Sequence, residues 1–282
     1  MKKAGTKKKK SIIPGFGISM GITIAMLSLI ILIPLASVLA YSFRLSGTEF
    51  LELITRPNVV QSFVTSILCA LAAALINCVF GLLLAWVLVR YEFPGKRLMD
   101  GMIELPFALP TAVAGITLTK MYSDTGFLGR ALEHIGISAA YTKTGIVIAM
   151  VFIGIPFVVR AIQPVLEKLS KSYEEAAYML GASRFTVFRK IIFPEIRPAL
   201  LTGFGLALAR GIGEYGSVIY ISGNSEKNGT QVVSYIIMQK LNSGNVDYEG
   251  AAAIALILLI ISFLMLFVIN LIQHMASRRT NA

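Results

Sequence analysis

Two ionisable residues lie where an apolar chain should have none. Arg210 and Glu214 interrupt a stretch of Gly, Ala, Leu and Ile near residues 196–221. Four residues apart on a helix, they share a face and can pair. Charges at membrane depth are costly and point to function first. Two readings follow: the pair satisfies itself and fixes helix packing, or Arg210 borders a path across the membrane. The glycines around them, Gly211, Gly213 and Gly216, spell a dinucleotide fingerprint. That fingerprint needs a preceding strand and a soluble βαβ unit; inside an apolar helix, small residues instead permit close helix approach. Cys69 and Cys78 are nine residues apart, roughly 13 Å along a helix, too far for a disulfide. His134 and His274 stand alone, so no metal site is expected. No Walker A pattern, His-Glu-x-x-His or Ser/His pair falls in the spans, so the chain should carry out no catalysis or ATP hydrolysis of its own.

The elements that must position these residues are membrane helices. Of 282 residues, 56% are hydrophobic and 15% charged, and the mean hydropathy is +0.74. A soluble domain carries charge near 25%; this surface must face lipid. Six stretches are long enough to span, at about 17–41, 62–89, 99–120, 144–163, 196–221 and 250–273. None alternates as barrel strands do, so the fold class is an all-α polytopic membrane protein with six transmembrane helices. Glu104, Pro106 and Pro110 interrupt the third, and Pro156 and Arg160 the fourth. Both should therefore face protein or an aqueous path. Pro106, Pro110 and Thr111 are candidates to kink the third helix and line that path, with core packing as the other reading.

The net charge of +11 follows topology rather than nucleic acid. Eighteen Lys and Arg fall at the termini and in the second-to-third and fourth-to-fifth loops, against seven in the opposite loops. The positive-inside rule then places both termini in the cytoplasm. The lysines before the first apolar run resemble a signal peptide, but the run is too long for a signal core, and an uncleaved helix is expected. The expected organisation is a basic tail 1–16, a six-helix domain 17–273 and a tail 274–282.

The long polar loop between the fourth and fifth spans should be a docking element. Ser172-x-x-Glu175 has the form of a capping box, opening a helix from about Tyr173 to Leu180. Gly181 suits a left-handed end, and Ser183 can cap a second helix through Phe185, Val187, Phe188 and Ile191, with Pro194 and Pro198 beyond. The pattern alone also suits an amphipathic loop on headgroups.

Glu175, Ala176, Ala177, Gly181, Ile191 and Pro194 stand in the register of the EAA loop of ABC importer permeases, with Phe193 where that family usually has leucine. Glu104 to Gly115, Arg90 to Gly95, Ile155 to Arg160 with Gln163-Pro164, and Arg210 to Gly216 are similar to the T-type subunit of the sulfate/thiosulfate permeases. The resemblance runs from about 17 to 273. It implies a type I (MetI-like) permease fold in the bacterial inner membrane, with coupling helices at about 171–194 seated in an ATPase cleft. It also implies a paralogous W-type permease subunit, two ATP-binding subunits and an external binding protein, with ATP held by the partner and no cofactor here. The molybdate and tungstate permeases share the EAA loop and are the alternative cargo class. An ion-gradient-driven secondary transporter is the alternative from another class, but it should show inverted repeats, and none is seen.

Overall fold

A computed structural model describes residues 15–280. The basic tail up to residue 14 and residues 281–282 lie outside the described residues. Every regular element in the described residues is helical. In chain order they are α1 (Phe16–Ser42), α2 (Gly47–Thr55), α3 (Pro57–Arg90), α4 (Lys96–Ile103), α5 (Leu105–Ala108), α6 (Thr111–Tyr122), α7 (Phe127–Glu133), α8 (Lys143–Lys168), α9 (Lys171–Met179), α10 (Arg184–Ile212), α11 (Val218–Ile221), α12 (Val233–Asn242) and α13 (Tyr248–Thr280). α1 and α10 each contain one widened π-type turn, at Ser28–Leu32 and Phe188–Ile192.

Five helices are long and apolar enough to cross a membrane: α1, α3, α8, α10 and α13. The expected third span is not one helix. It is divided into α4, α5 and α6, of 8, 4 and 12 residues. Leu109 turns extended before Pro110 (ψ 136°), as the steric clash with a following proline ring demands. The fourth span behaves otherwise: α8 runs unbroken through Pro156 and Pro164, its core-facing side packed by neighbours that tolerate the missing hydrogen bonds. α8 is also the most enclosed of the five, as expected for a span that faces protein. The third is not: Phe107, Leu109, Val113 and Ile116 stand exposed on the isolated chain. The fifth ends earlier than the pattern suggests, at Ile212, and α11 is a separate turn. The last helix extends to Thr280, through most of the expected tail 274–282.

The core is the triple contact of α3, α8 and α10. Lipid offers apolar side chains no reason to leave it, so helices associate through close packing of small residues. Val158 on α8 is fully buried between two glycines, Gly81 of α3 and Gly203 of α10. A Cβ on Gly81 would stand 2.8 Å from Val158 Cγ1, and one on Gly203 would stand 2.8 Å from Val158 Cα. Ala70, Ala73, Ala74 and Ala85 extend the same flat surface along α3. α13 packs on α10 where Gly205 receives Ile269, and α1 lies outside it, with no buried residue in its first segment. Cys69 and Cys78 are both unpaired thiols, as their spacing requires.

Gly203→Ala should lower stability by about 1–3 kcal/mol, since backbone rather than a movable side chain blocks the methyl. Gly101→Ala, which meets nothing within 4 Å, should be neutral or stabilising by about 0.5–1 kcal/mol. Denaturant unfolding in detergent checks both; equal midpoints for the two variants would disprove the tight contact.

Candidate functional site

Two places hold most of the nominated residues: the loop helices α9 and α10, and the far end of α10. At the loop, α8 stops at Lys168 and the extended Ser170 becomes the cap of α9, its Oγ accepting from Ser172 N at 3.3 Å. The capping box expected between Ser172 and Glu175 does not form. The helix starts earlier, so Ser172 lies inside its first turn and its hydroxyl meets Ser170 Oγ at 2.8 Å. Glu174 then occupies the first turn, and its carboxylate goes to Arg90 Nη2 at 2.6 Å.

The far end of α9 matches expectation. Gly181 has φ +78°, Ala182 N donates to Ala177 O at 3.0 Å and Gly181 N donates to Tyr178 O at 2.9 Å. This closes the helix in a left-handed turn suited to glycine. Ser183 Oγ accepts from Thr186 N at 3.3 Å and opens α10. Contrary to the expected two-helix loop followed by a span, α10 continues without a stop from the loop into the core. The π-type turn at Phe188–Ile192 precedes Pro194, whose missing N–H it helps to absorb. Ile191 and Pro194 line a groove of about 710 Å³ with Lys168, Tyr173, Lys190 and Glu195. Glu175 and Ala176 are exposed, Ala177 half-buried. Around them Tyr173, Met179, Leu180 and Phe185 stand open, Met179 and Leu180 at 88% and 89% exposure. Large side chains so bare on a helix end amid charge leave an apolar patch exposed on the isolated chain. In the adjoining turn outside the spanning helices, Glu92 accepts from Lys96 Nζ at 2.7 Å, and this bond holds its carboxyl below the usual range.

At the other place, Arg210 sits in the last turn of α10 and Glu214 lies past its end, beyond Gly213 rather than on the same helix. The pair still forms: Arg210 Nη1 to Glu214 Oε2 is 2.5 Å. Glu214 is 2% exposed, and its other oxygen accepts from Ser217 N at 2.9 Å and Ser217 Oγ at 3.0 Å. Ser234 Oγ donates to Glu214 O at 2.8 Å. The carboxylate is fully satisfied, while the Arg210 side chain is 35% exposed. Thr111 is brought here too, its side chain filling the space over Gly216, and Gly115 of the same helix approaches the Ser217 backbone, where a Cβ would stand 2.5 Å from Ser217 O. Gly211 lies against Ala70, so Gly211 and Gly216 are close-approach glycines, as inferred; Gly213 meets no such neighbour. Pro106 is elsewhere, in an apolar groove with Phe93, Met99, Phe152 and Ile155, and Pro110 serves as the cap of α6.

Sequence reasoning missed two sets of ion pairs and one buried polar side chain. Arg160 joins the broken third span to α8, with Asp100 Oδ1 at 2.7 Å and Glu104 Oε1 at 2.8 Å. Arg90 pairs with Glu174. Asn77 is wholly buried against Gly154, with neither amide atom hydrogen-bonded. The residues were visible as polar groups in apolar context; their partners, about sixty to eighty positions away, were not. Among the described residues no group of His, Cys, Asp or Glu could hold a metal ion.

Residues 77–282 match the family described as binding-protein-dependent transport system inner membrane component. The chain belongs to that family. Its relatives include the sulfate transport system permease proteins CysT of Salmonella typhimurium and Escherichia coli, each 45% identical over 270 residues, covering 96% of this chain and 96% of the relative. A solved bacterial ABC transporter involved in import of the acidic polysaccharide alginate has the same fold, with a TM-score of 0.75 at 15% identity, covering 94% of this chain and 96% of that one. In this family member, the helical permease architecture expected from the EAA register is therefore established.

Glu214→Gln should destabilise the protein by about 2–4 kcal/mol, because it leaves Arg210 without a counter-charge. Adding Arg210→Met should recover part of that loss. Thermal unfolding in detergent measures both; a double variant less stable than Glu214→Gln would argue against mutual neutralisation.

Proposed function

We propose that the chain is the T-type permease subunit of an ATP-driven importer of sulfate and thiosulfate in a bacterial inner membrane. The observation that carries this is 45% identity along 96% of the chain to sulfate transport system permease proteins. The partners are a W-type permease subunit, two ATP-binding subunits and an external binding protein. ATP is bound and hydrolysed by the ATP-binding subunits, and this chain needs no cofactor. Both termini and the α9 loop face the cytoplasm, in keeping with the lysine and arginine bias.

The loop is the ATPase-docking element. Glu175, Ala176 and Ala177 give α9 a slim face that a cleft can enclose, Gly181 supplies the sharp exit, and Ile191 and Pro194 set the start of α10. Closure of the ATPase dimer pulls on this element and swings the spanning helices between two openings. Continuity of α10 from loop to Arg210 supports this role, since a displacement at Ser183 is carried along one continuous helix. At its far end Arg210, with Glu214 and Thr111, borders the path of the dianion; Pro106 and Pro110 shape the broken third span beside it. Arg210 is neutralised by Glu214, so it guides rather than traps, and selectivity resides mainly in the external binding protein.

Uptake of radiolabelled sulfate by cells lacking their own permease should depend on this chain with its partners, and be blocked by thiosulfate but hardly by molybdate. Block by molybdate instead would reassign the cargo. Gly181→Asp has room around it but forces a side chain into a positive-φ turn, costing about 1–2 kcal/mol. It should assemble yet transport poorly per ATP hydrolysed; wild-type coupling would refute docking through this turn. Arg210→Lys should impair uptake while leaving assembly intact, and unchanged uptake would remove Arg210 from the path.

A further inference from the structure

Arg90 ends α3, yet its side chain is only 9% exposed. Buried arginines are rare and need a partner. Its partner is Glu174 Oε1 at 2.6 Å, on a side chain 15% exposed. Arg90 Nη1 and Nη2 both donate to Leu169 O at 3.4 Å, the residue that closes α8. The guanidinium carbon lies 5.7 Å from the centre of the Trp86 ring, one turn back on α3. One side chain thus touches the ends of two core helices and the loop helix α9.

α9 has little else to orient it. None of its nine residues is fully buried, and its one apolar contact with the core is the small, half-buried Ala177, on the same inward side as Glu174. Successive residues on a helix point about 100° apart. Holding Glu174 inward therefore fixes Glu175, Ala176 and Met179 outward. A covalent tether at Leu169-Ser170 sets where α9 begins, not which way it faces.

We propose that Arg90 is the positioning residue of α9: it sets the rotation of the loop helix and passes its displacement directly to α3 and α8, in parallel with the covalent route through α10. This rests on the reading that α9 docks on an ATP-binding subunit. Arg90 acts through Glu174 and touches neither substrate nor nucleotide.

The test uses the full importer in proteoliposomes, reading sulfate taken up per ATP hydrolysed. Arg90→Gln and Glu174→Gln should each lower that ratio about tenfold, with hydrolysis itself changed by less than about threefold, because the cost of the unpaired charge falls on coupling rather than on the ATPase. Exchanging the two charges, Arg90→Glu with Glu174→Arg, should recover about a third of the ratio, partial because Leu169 O loses its donor. A wild-type ratio in both single variants, or an exchanged pair no better than either, would overturn the proposal. A purely structural role would lower the amount of assembled complex without changing the ratio. The docking reading is checked separately by cross-linking Ala176→Cys to the ATP-binding subunit in otherwise unaltered complex; failure there sinks docking whatever the ratio. Should Arg90→Gln fail to assemble, Glu174→Gln, which removes charge but no volume, carries the test.

Discussion

The close approach of α3, α8 and α10 around Val158 is the constraint on which the rest depends. In a bilayer the apolar side chains of these helices lose nothing by facing lipid, so the helices hold only where their backbones come near enough for dense contact. Gly81 and Gly203 on either side of Val158 make that possible. Once these three axes are set, the ends of α3 and α8 arrive together at one end of the bundle, where Arg90, Leu169 and Glu174 meet. At the other end the same packing carries Arg210 to the turn that holds Glu214, Ser217 and Thr111. Each polar assembly depends on the register of the small-residue contact between them.

The charges themselves follow one rule. Arg90, Arg160 and Arg210 each sit within or at the edge of the spans, and each faces a carboxylate from another turn or another element. None is left as an isolated buried charge, which would cost several kcal/mol. Arg160 also ties the broken third span to α8 through Asp100 and Glu104, compensating for the breaks that Pro106 and Pro110 impose.

Much of this was legible in the sequence. Five of the six spans appear as long apolar helices overlapping their expected ranges, because twenty apolar residues have few other places to go. Gly181 and Ser183 do what their residue types suggest, since caps are decided within one turn. The misreadings have equally local causes. Ser172 and Glu175 satisfy the spacing of a capping box, but Ser170 takes the cap and leaves Ser172 inside the first turn. The third span is apolar enough on average, while Pro110 forces Leu109 out of the helix and divides it. Glu214 keeps its i,i+4 partner although the helix has already ended at Ile212, because Ser217 N and Oγ hold the carboxylate in place.

The sequence by itself determined the class of the protein: hydropathy sets the number and length of the apolar segments, charge bias their expected sense, and the EAA register the family. Those properties are local or cumulative along the chain, so no three-dimensional information is needed to read them. Only the tertiary structure decided which distant charges meet, that Glu174 rather than Glu175 turns inward, and that Thr111 lies over Gly216. These contacts join positions tens of residues apart, and whether they form depends on helix rotation. That rotation is set by where glycines let backbones touch, which no single helix's pattern contains.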